Sequence, residues 1–267
     1  MKSQERSIEK RVDYDKVAPT YDQRFACYAE APEGVAAALI ELAGQLQAGR
    51  ILEVGCGTGH WLRILNPLGC TVFGLDLSMG MLRLACSAGL PNLVRGTAET
   101  LPFPQATFDL VYCVNAIHHF TEAPRFIRQS RRLLRPGGAL AIAGMDPHTR
   151  RDRWYLYDYF SGTQEMDLRR YPSTGEIVNW MIDAGFDLVR WQVVERLHET
   201  RTGREILEEP MLQKNATSQL TLLSDAQYAA GIARIQATIA KAEAQGEQAV
   251  FPVDVSLHMV VGFVQSP

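Results

Sequence analysis

Between residues 50 and 144 short apolar runs alternate with segments of helical spacing, and this alternation constrains the fold more than any other feature. "RILEV" (50–54), "TVFGL" (71–75), "NLVRG" (92–96), "TFDLVYCVN" (107–115) and "ALAIAG" (139–144) read as strands. Helical stretches separate most of them. Ser78 is placed to cap "MGMLRLACSA", and Thr121 to cap "EAPRFIRQSRRLL". Pro136-Gly137-Gly138 is expected to break the chain before the fifth strand. Strands joined through helices lie parallel, and their continuous apolar runs predict burial on both faces. Right-handed crossovers then give a doubly wound, Rossmann-like α/β sheet whose ligand crevice lies beyond the carboxyl ends of the strands.

Before and after this stretch the pattern changes. Residues 1 to about 30 read as a mobile arm with some helix, carrying Tyr14, Tyr21 and Tyr28, and a helix is expected over 33–47. After 145, "PHTRRDRWYLYDYFSGTQEMDLRRYPS" (147–173) is aromatic and charged with weak periodicity. Ser173 and Glu176 form a capping box before the next helix. "DLVRWQVVER" (187–196) reads as strand six, and helices are expected over 202–215 and 224–246. "VDVSLHMVVGFVQ" (253–265) is the last strand, and the insertion before it implies an antiparallel edge. The expected architecture is a seven-stranded, mostly parallel sheet with an antiparallel edge strand and a helical lid. Three regions follow: an arm and helix (1–47), a nucleotide-binding core (48–145), and a completion of the sheet (146–267) with acceptor-pocket insertions at about 147–180 and 197–250.

The loop "ILEVGCGTGHW" (51–61) places Gly55, Gly57 and Gly59 behind the first strand. Such a turn lets backbone approach a dinucleotide, a phosphate or a sulfonium nucleoside. The dinucleotide fingerprint needs a glycine at its sixth position, where His60 stands, and the pattern GxxxxGK[ST] is missing. Asp76 ends the second strand, where a carboxylate can accept both hydroxyls of a ribose. Nicotinamide-dependent enzymes share that last feature, so it does not choose between ligands.

Four motifs in order do choose: "LEVGCGTG", "GLDLS", "LPFPQATFDLVYCVN" and "LLRPGGALAI". Together with "YDKVAPTYD" (14–22) they resemble the class I S-adenosylmethionine-dependent methyltransferases, specifically the ubiquinone/menaquinone-biosynthesis-like group. The resemblance spans about residues 12 to 145. It implies S-adenosyl-L-methionine as cofactor, S-adenosyl-L-homocysteine as product and a small-molecule acceptor. It further implies that Gly55, Gly57 and Gly59 lie against the methionine and ribose, with Glu53 the acid near that loop. Asp76 would bind the ribose, with Leu77, Ser78 and Met79 beside the adenosine and Ala98 and Glu99 flanking adenine. Thr97 stands where the group commonly has Asp, so the adenine amine is expected to meet backbone or water. Asn115 would touch the methionine portion, and Tyr14 and Tyr21 would close over the cofactor.

Methyl transfer asks mainly for positioning, worth roughly 7–11 kcal/mol when the reactants are held in line. Aromatic faces stabilise a sulfonium by about 0.5–2 kcal/mol. His119 is a candidate base and His118 a candidate acceptor contact, the other reading being packed loop histidines. Trp154, Tyr155 and Tyr159 are candidate walls of the acceptor pocket, or else a lid core. Arg169 and Arg170 are expected in solvent. No metal site is expected.

The net charge of −3 gives no reason to expect nucleic acid. No apolar run reaches the roughly 18 residues that span a membrane, and the N-terminus lacks a signal-like apolar stretch. Five cysteines without CxxC spacing fit a reducing cytoplasm. A monomer or homodimer is expected. Two other readings remain at this point: a noncatalytic S-adenosylmethionine-binding regulatory protein and a nicotinamide-dependent oxidoreductase.

Overall fold

A computed structural model describes residues 12–22 and 33–266. Tyr28, Cys27 and most of the expected arm lie outside the described residues. Five parallel strands form the centre: β1 (Arg50–Val54), β2 (Thr71–Asp76), β3 (Leu93–Arg95), β4 (Phe108–Val114) and β5 (Leu134–Met145), in the order β3-β2-β1-β4-β5. The reversal of order at β1 and β4 puts the crevice above their carboxyl ends.

The double-sided burial follows the two-residue period of a strand. Ile51 on β1 packs with Val35, Leu39 and Leu42 of α2 (Glu33–Gln45) and Trp61, Leu62 and Leu65 of α3 (His60–Leu65). Its neighbour Leu52 faces the other way, toward Phe126, Ile127 and Leu133 of α5 (Ala123–Leu133). α1 (Tyr14–Tyr21) packs on α4 (Met79–Ser87), whose N-cap is the expected Ser78, accepting from the Met81 N–H at 3.1 Å.

Three local expectations change. Thr121 does not cap α5; Glu99 reaches across, its Oε1 accepting from the N–H groups of Thr121 (2.6 Å) and Glu122 (3.3 Å). Pro136-Gly137-Gly138 bends β5 without ending it: the pairing with β4 shifts register between Phe108 and Leu110. The Gly137 N–H is satisfied by the Val264 carbonyl and the Gly138 carbonyl by the Val264 N–H, so the last strand completes the bend. Finally, 202–215 is no continuous helix. Two short 3-10 turns, Gly203–Glu208 and Pro210–Leu212, occupy it, because Pro210 cannot supply the N–H that a helix needs there.

The largest addition is a long antiparallel pair, β7 (Leu188–Thr202) and β8 (Val250–Phe263). β8 pairs with β5 only through residues 257–263. The remainder of β8, with residues 195–202 of β7, overhangs the carboxyl edge of the parallel sheet as a two-stranded arm. A two-residue strand, β6 (Arg153–Trp154), pairs with Asp254 and Val253 on the edge that β5 leaves open, making eight strands. α8 (Thr174–Asp183) carries the capping box read from Ser173 and Glu176 and packs Ile177 and Met181 on the sheet.

At the tip of the arm sit α6 (Tyr155–Tyr159), α7 (Thr163–Arg170), α9 (Ser218–Thr221) and α10 (Asp225–Ala244). Tyr155, Leu156, Phe160, Leu220, Ile235 and Phe251 form a separate apolar core for this lid. Gly231 allows the close approach inside it: a Cβ there would come within 2.2 Å of the Phe160 ring.

Candidate active site

One cavity of about 190 Å³ lies above the carboxyl edge, with the glycine loop below, β7 and β8 beside it and the lid above. The three loop glycines have separate physical reasons. All have positive φ, at 78°, 54° and 80°. A Cβ on Gly55 would meet Ala116 Cβ at 2.7 Å, and one on Gly59 would meet Leu90 Cδ1 at 2.0 Å. Both serve the packing of protein on protein, and Gly59 does not line the cavity. Gly57 differs: a Cβ there would make only an ordinary contact with the Tyr21 ring, at 3.8 Å. The bare side of the loop faces the cavity there.

Glu53 stands at the loop entrance with no solvent exposure. Tyr112 donates to its Oε2 at 3.1 Å, its enclosed Oε1 makes no hydrogen bond, and Glu53 is among the residues lining the cavity. Burial pushes its pKa well above the carboxylate range and the nearby Asp76 adds to this, against the opposing Tyr112 hydroxyl and Leu62 N–H. A buried carboxyl oxygen without a partner is costly, and a hydrogen-bond donor is what it lacks.

Asp76 accepts from the Gly57 N–H through Oδ2 and from the Ser78 N–H through Oδ1, both at 2.8 Å. Burial raises its pKa against those N–H groups. Each oxygen retains a lone pair for a ligand hydroxyl. Leu77 and Met79 beside it expose apolar surface, while Ala98 is buried nearby. Glu99 has the capping duty described above. Burial tends to raise its pKa, but the backbone N–H groups prevail and hold it below the ordinary value.

Asn115 lines the cavity just past β4 with φ of 49°, a left-handed conformation uncommon for a residue other than glycine. Its N–H bonds the Ala143 carbonyl at 2.8 Å, which ties the turn to β5. Such local strain accumulates where a side chain must be aimed.

α1 crosses the loop and is anchored at both ends. Asp15 accepts from Ser78 Oγ (2.8 Å) and the Gly80 N–H (2.6 Å), while Asp22 accepts from Thr58 Oγ1 (2.6 Å). This places Tyr14 and Tyr21 on the cavity, and the Tyr14 hydroxyl shares a 2.6 Å hydrogen bond with His119 Nε2. His118 also lines the cavity, its ring stacked on Tyr171 at 3.8 Å.

Of the expected acceptor walls, Trp154 and Tyr155 line the cavity, Tyr155 from within the lid core. Tyr159 does not; its ring packs 5.4 Å from Phe251. Arg169 is exposed as expected, but Arg170 is not: its side chain is 7% exposed and bonds Asp167 at 2.6 Å. Tyr157 and Gln219 donate to Asp167 Oδ2, so this buried pair stitches α7 to α9 behind Ser218 and Gln219, which line the cavity. Tyr171 and the β7 side chains Glu195, Leu197, Glu199 and Arg201 also line it and escaped sequence reading. Their alternation in "ERLHETR" was the available signal, hidden because strand six was expected to stop at Arg196.

Residues 52–142 match the methyltransferase domain family. Over 131 residues the chain is 39% identical to the phthiotriol/phenolphthiotriol dimycocerosates methyltransferase of Mycobacterium leprae, covering 46% of this chain and 48% of that protein. The chain thus spans about half the length of that curated relative, and 29% and 43% of the next two. Among solved structures, a putative methyltransferase from an antibiotic biosynthesis pathway of Anabaena variabilis has a TM-score of 0.67 at 21% identity, with 85% of this chain and 96% of that one covered. Phosphoethanolamine N-methyltransferase 2 of Haemonchus contortus, solved with S-adenosyl-L-methionine, has a TM-score of 0.58 at 18% identity, with 95% and 57% covered. The family match is confined to residues 52–142, less than half of the chain, and the likeness to the solved structures is one of fold. Among the described residues no helix is long and apolar enough to cross a membrane.

Proposed function

We propose that this protein transfers the methyl group of S-adenosylmethionine to an O, N or C nucleophile of a small molecule held under the lid, in the cytoplasm. The observation that carries this reading is a single cavity that joins Glu53 and Gly57, on the cofactor loop, to the Tyr14–His119 pair and the aromatic lid residues. When bound, the cofactor supplies an electrophilic methyl on sulfur. Gly57 leaves room for it, Asp76 takes the ribose hydroxyls, and Glu53 meets positive charge with its unpaired Oε1. Tyr21 and Asn115 close the methionine end. His119, oriented by Tyr14, takes the proton of a nucleophile as the new bond forms. Trp154, Tyr155 and Tyr171 exclude water and hold the acceptor in line, which is where most of the rate comes from.

Calorimetry with S-adenosylmethionine, S-adenosylhomocysteine and NAD tests the first half of this reading. The expected result is binding of the first two, with thermal stabilisation of about 2.7 kcal/mol at 100 times the dissociation constant. A folded protein that binds neither, or only NAD, overturns it. Label transfer from methyl-labelled cofactor tests the second half; cofactor binding without transfer to any acceptor would point to the regulatory alternative.

A further inference from the structure

Tyr171 lies at the lid end of the cavity, and its chemistry goes beyond that of a wall. It follows the last turn of α7 and precedes Pro172, which disfavours helical backbone at the residue before it. Tyr171 is accordingly extended, with φ of −80° and ψ of 127°, and its ring reaches His118 beyond the end of β4. Its N–H donates to the Asp167 carbonyl at 2.9 Å, and its own carbonyl accepts from His148 Nε2 at 2.9 Å. Its ring lies 3.8 Å from that of His118 with 12° between the planes, and its hydroxyl oxygen accepts from Gln219 Nε2 at 3.4 Å.

The direction of that last contact decides what the hydroxyl can do. Gln219 also donates to Asp167 Oδ2 at 2.6 Å, and Asp167 accepts from Arg170 and Tyr157 as well. A carboxylate only accepts, so the amide turns its Nε2 toward Asp167 and Tyr171. The Tyr171 oxygen is thereby used as an acceptor, and among the described residues nothing accepts its proton. Burial and the Asp167 carboxylate push its pKa up, against Arg170, Gln219 and Ser218, so the proton stays on the phenol. Tyr171 is 7% exposed, and a buried donor without an acceptor is costly. A second, smaller pocket beside α8 is lined by Tyr171 and His118 but not by Ser218 or Gln219. Those two residues, which surround the hydroxyl, line the main cavity. His118 lies 3.9 Å from His119 and 3.8 Å from Tyr171, so the proposed base and this phenol both touch one imidazole.

We infer that Tyr171 is a specificity-determining residue: its phenol donates to an uncharged oxygen, a carbonyl or a hydroxyl, that the acceptor carries apart from its methylated atom. The inference rests on the methyl-transfer reading above and adds the acceptor's class. Gln219 is the positioning residue that aims the phenol. The oxygen is uncharged because Asp167 bears on the phenol more strongly than Arg170 does and opposes a second negative charge.

Three probes that share a phenol and differ at the para position test this: 4-hydroxyacetophenone, 4-ethylphenol and 4-hydroxybenzoate. Each is titrated calorimetrically into the full chain saturated with S-adenosylhomocysteine. The ketone is expected to bind about fivefold more tightly than 4-ethylphenol, the worth of one net hydrogen bond, and 4-hydroxybenzoate more weakly than the ketone. Tyr171→Phe keeps the ring against His118, and its thermal unfolding should stay close to that of the parent. In this variant the ketone should fall to the affinity of 4-ethylphenol, whose own binding should not change. The carbonyl stretch of the bound ketone should lie at lower frequency in the parent than in the variant, a difference that a structural role for Tyr171 would not produce. Equal binding of 4-ethylphenol, or tighter binding of 4-hydroxybenzoate, overturns the inference, as does no binding by any of the three. A ketone preference or a carbonyl frequency that Tyr171→Phe leaves intact overturns it too. If S-adenosylhomocysteine itself does not bind, it is the methyl-transfer reading that fails.

Discussion

The loop side and the arm side of the cavity are built on different principles. On the loop side the working groups sit within a few residues of strand ends and are held by backbone: Asp76 by the N–H groups of Gly57 and Ser78, Asn115 by the Ala143 carbonyl. On the arm side the groups come from β7, β8, α7 and α9 and hold one another through side chains, with Asp167 bonded to Arg170, Tyr157 and Gln219. Backbone anchoring keeps a ligand geometry fixed while side chains elsewhere change. Side-chain anchoring makes the arm-side wall of the cavity depend on long-range pairing, so it can be remodelled without disturbing the loop side.

The sharpest way to break this contrast is Asp167→Ala. It leaves the Arg170 guanidinium buried without its carboxylate, and a loss of about 3–5 kcal/mol is expected in denaturant unfolding. If the two sides are separable, S-adenosylhomocysteine still binds as in the parent; an equal loss of cofactor affinity would join them.

Within the loop, Gly55→Ala should destabilise by about 2–3 kcal/mol, because a Cβ meets Ala116 and φ is positive. Gly57→Ala meets no close neighbour. It should lower stability by only about 1 kcal/mol and act mainly on cofactor affinity. Thermal unfolding and calorimetry on both variants separate packing from ligand approach.

Asp76→Ala should weaken S-adenosylhomocysteine by about 1.5–3 kcal/mol, ten- to a hundredfold, through lost charge-assisted hydrogen bonds. The same substitution should leave binding of an acceptor probe to the arm side little changed.

The smallest effect is a proton. Glu53 has a raised pKa, so the unliganded protein keeps it neutral above the usual carboxylate range. Its contribution to stability is therefore fully present below the unfolded pKa and is lost as pH rises through the folded one. A cationic ligand favours the ionised form. Binding should release up to about one proton in that upper window and tighten as pH rises, which titrations in buffers of different ionisation heat would show. Proton release that persists in Glu53→Gln would assign it elsewhere.

Legibility in the sequence divides along the same line. Ile51 and Leu52 announce a strand buried on both faces, Ser78 and the Ser173–Glu176 box announce helix starts, and the structure has all of these. The glycines were legible as a loop, but not that Gly59 answers to Leu90 while Gly57 lies against the Tyr21 ring. Arg170 was expected in solvent and is buried: a charged side chain reads as solvated until its partners are known, and here Asp167 stands three residues back and Ser218 48 residues on. The contact of Glu99 with Thr121, 22 residues away, was not legible either. Tyr171 carried no signal, since its stacking on His118 joins segments distant in the chain.

The sequence by itself determined the parallel core and the glycine turn behind its first strand. Those depend on local periodicity, caps and backbone conformation, which neighbouring residues specify. Only the tertiary structure decided that β7 and β8 run on past β5, that Tyr14 meets His119, and that Glu195, Glu199 and Arg201 share a cavity with Glu53. Those follow from strand register and from residues as far apart in the chain as Glu53 and Arg201 lining one cavity, and no local pattern encodes such distances.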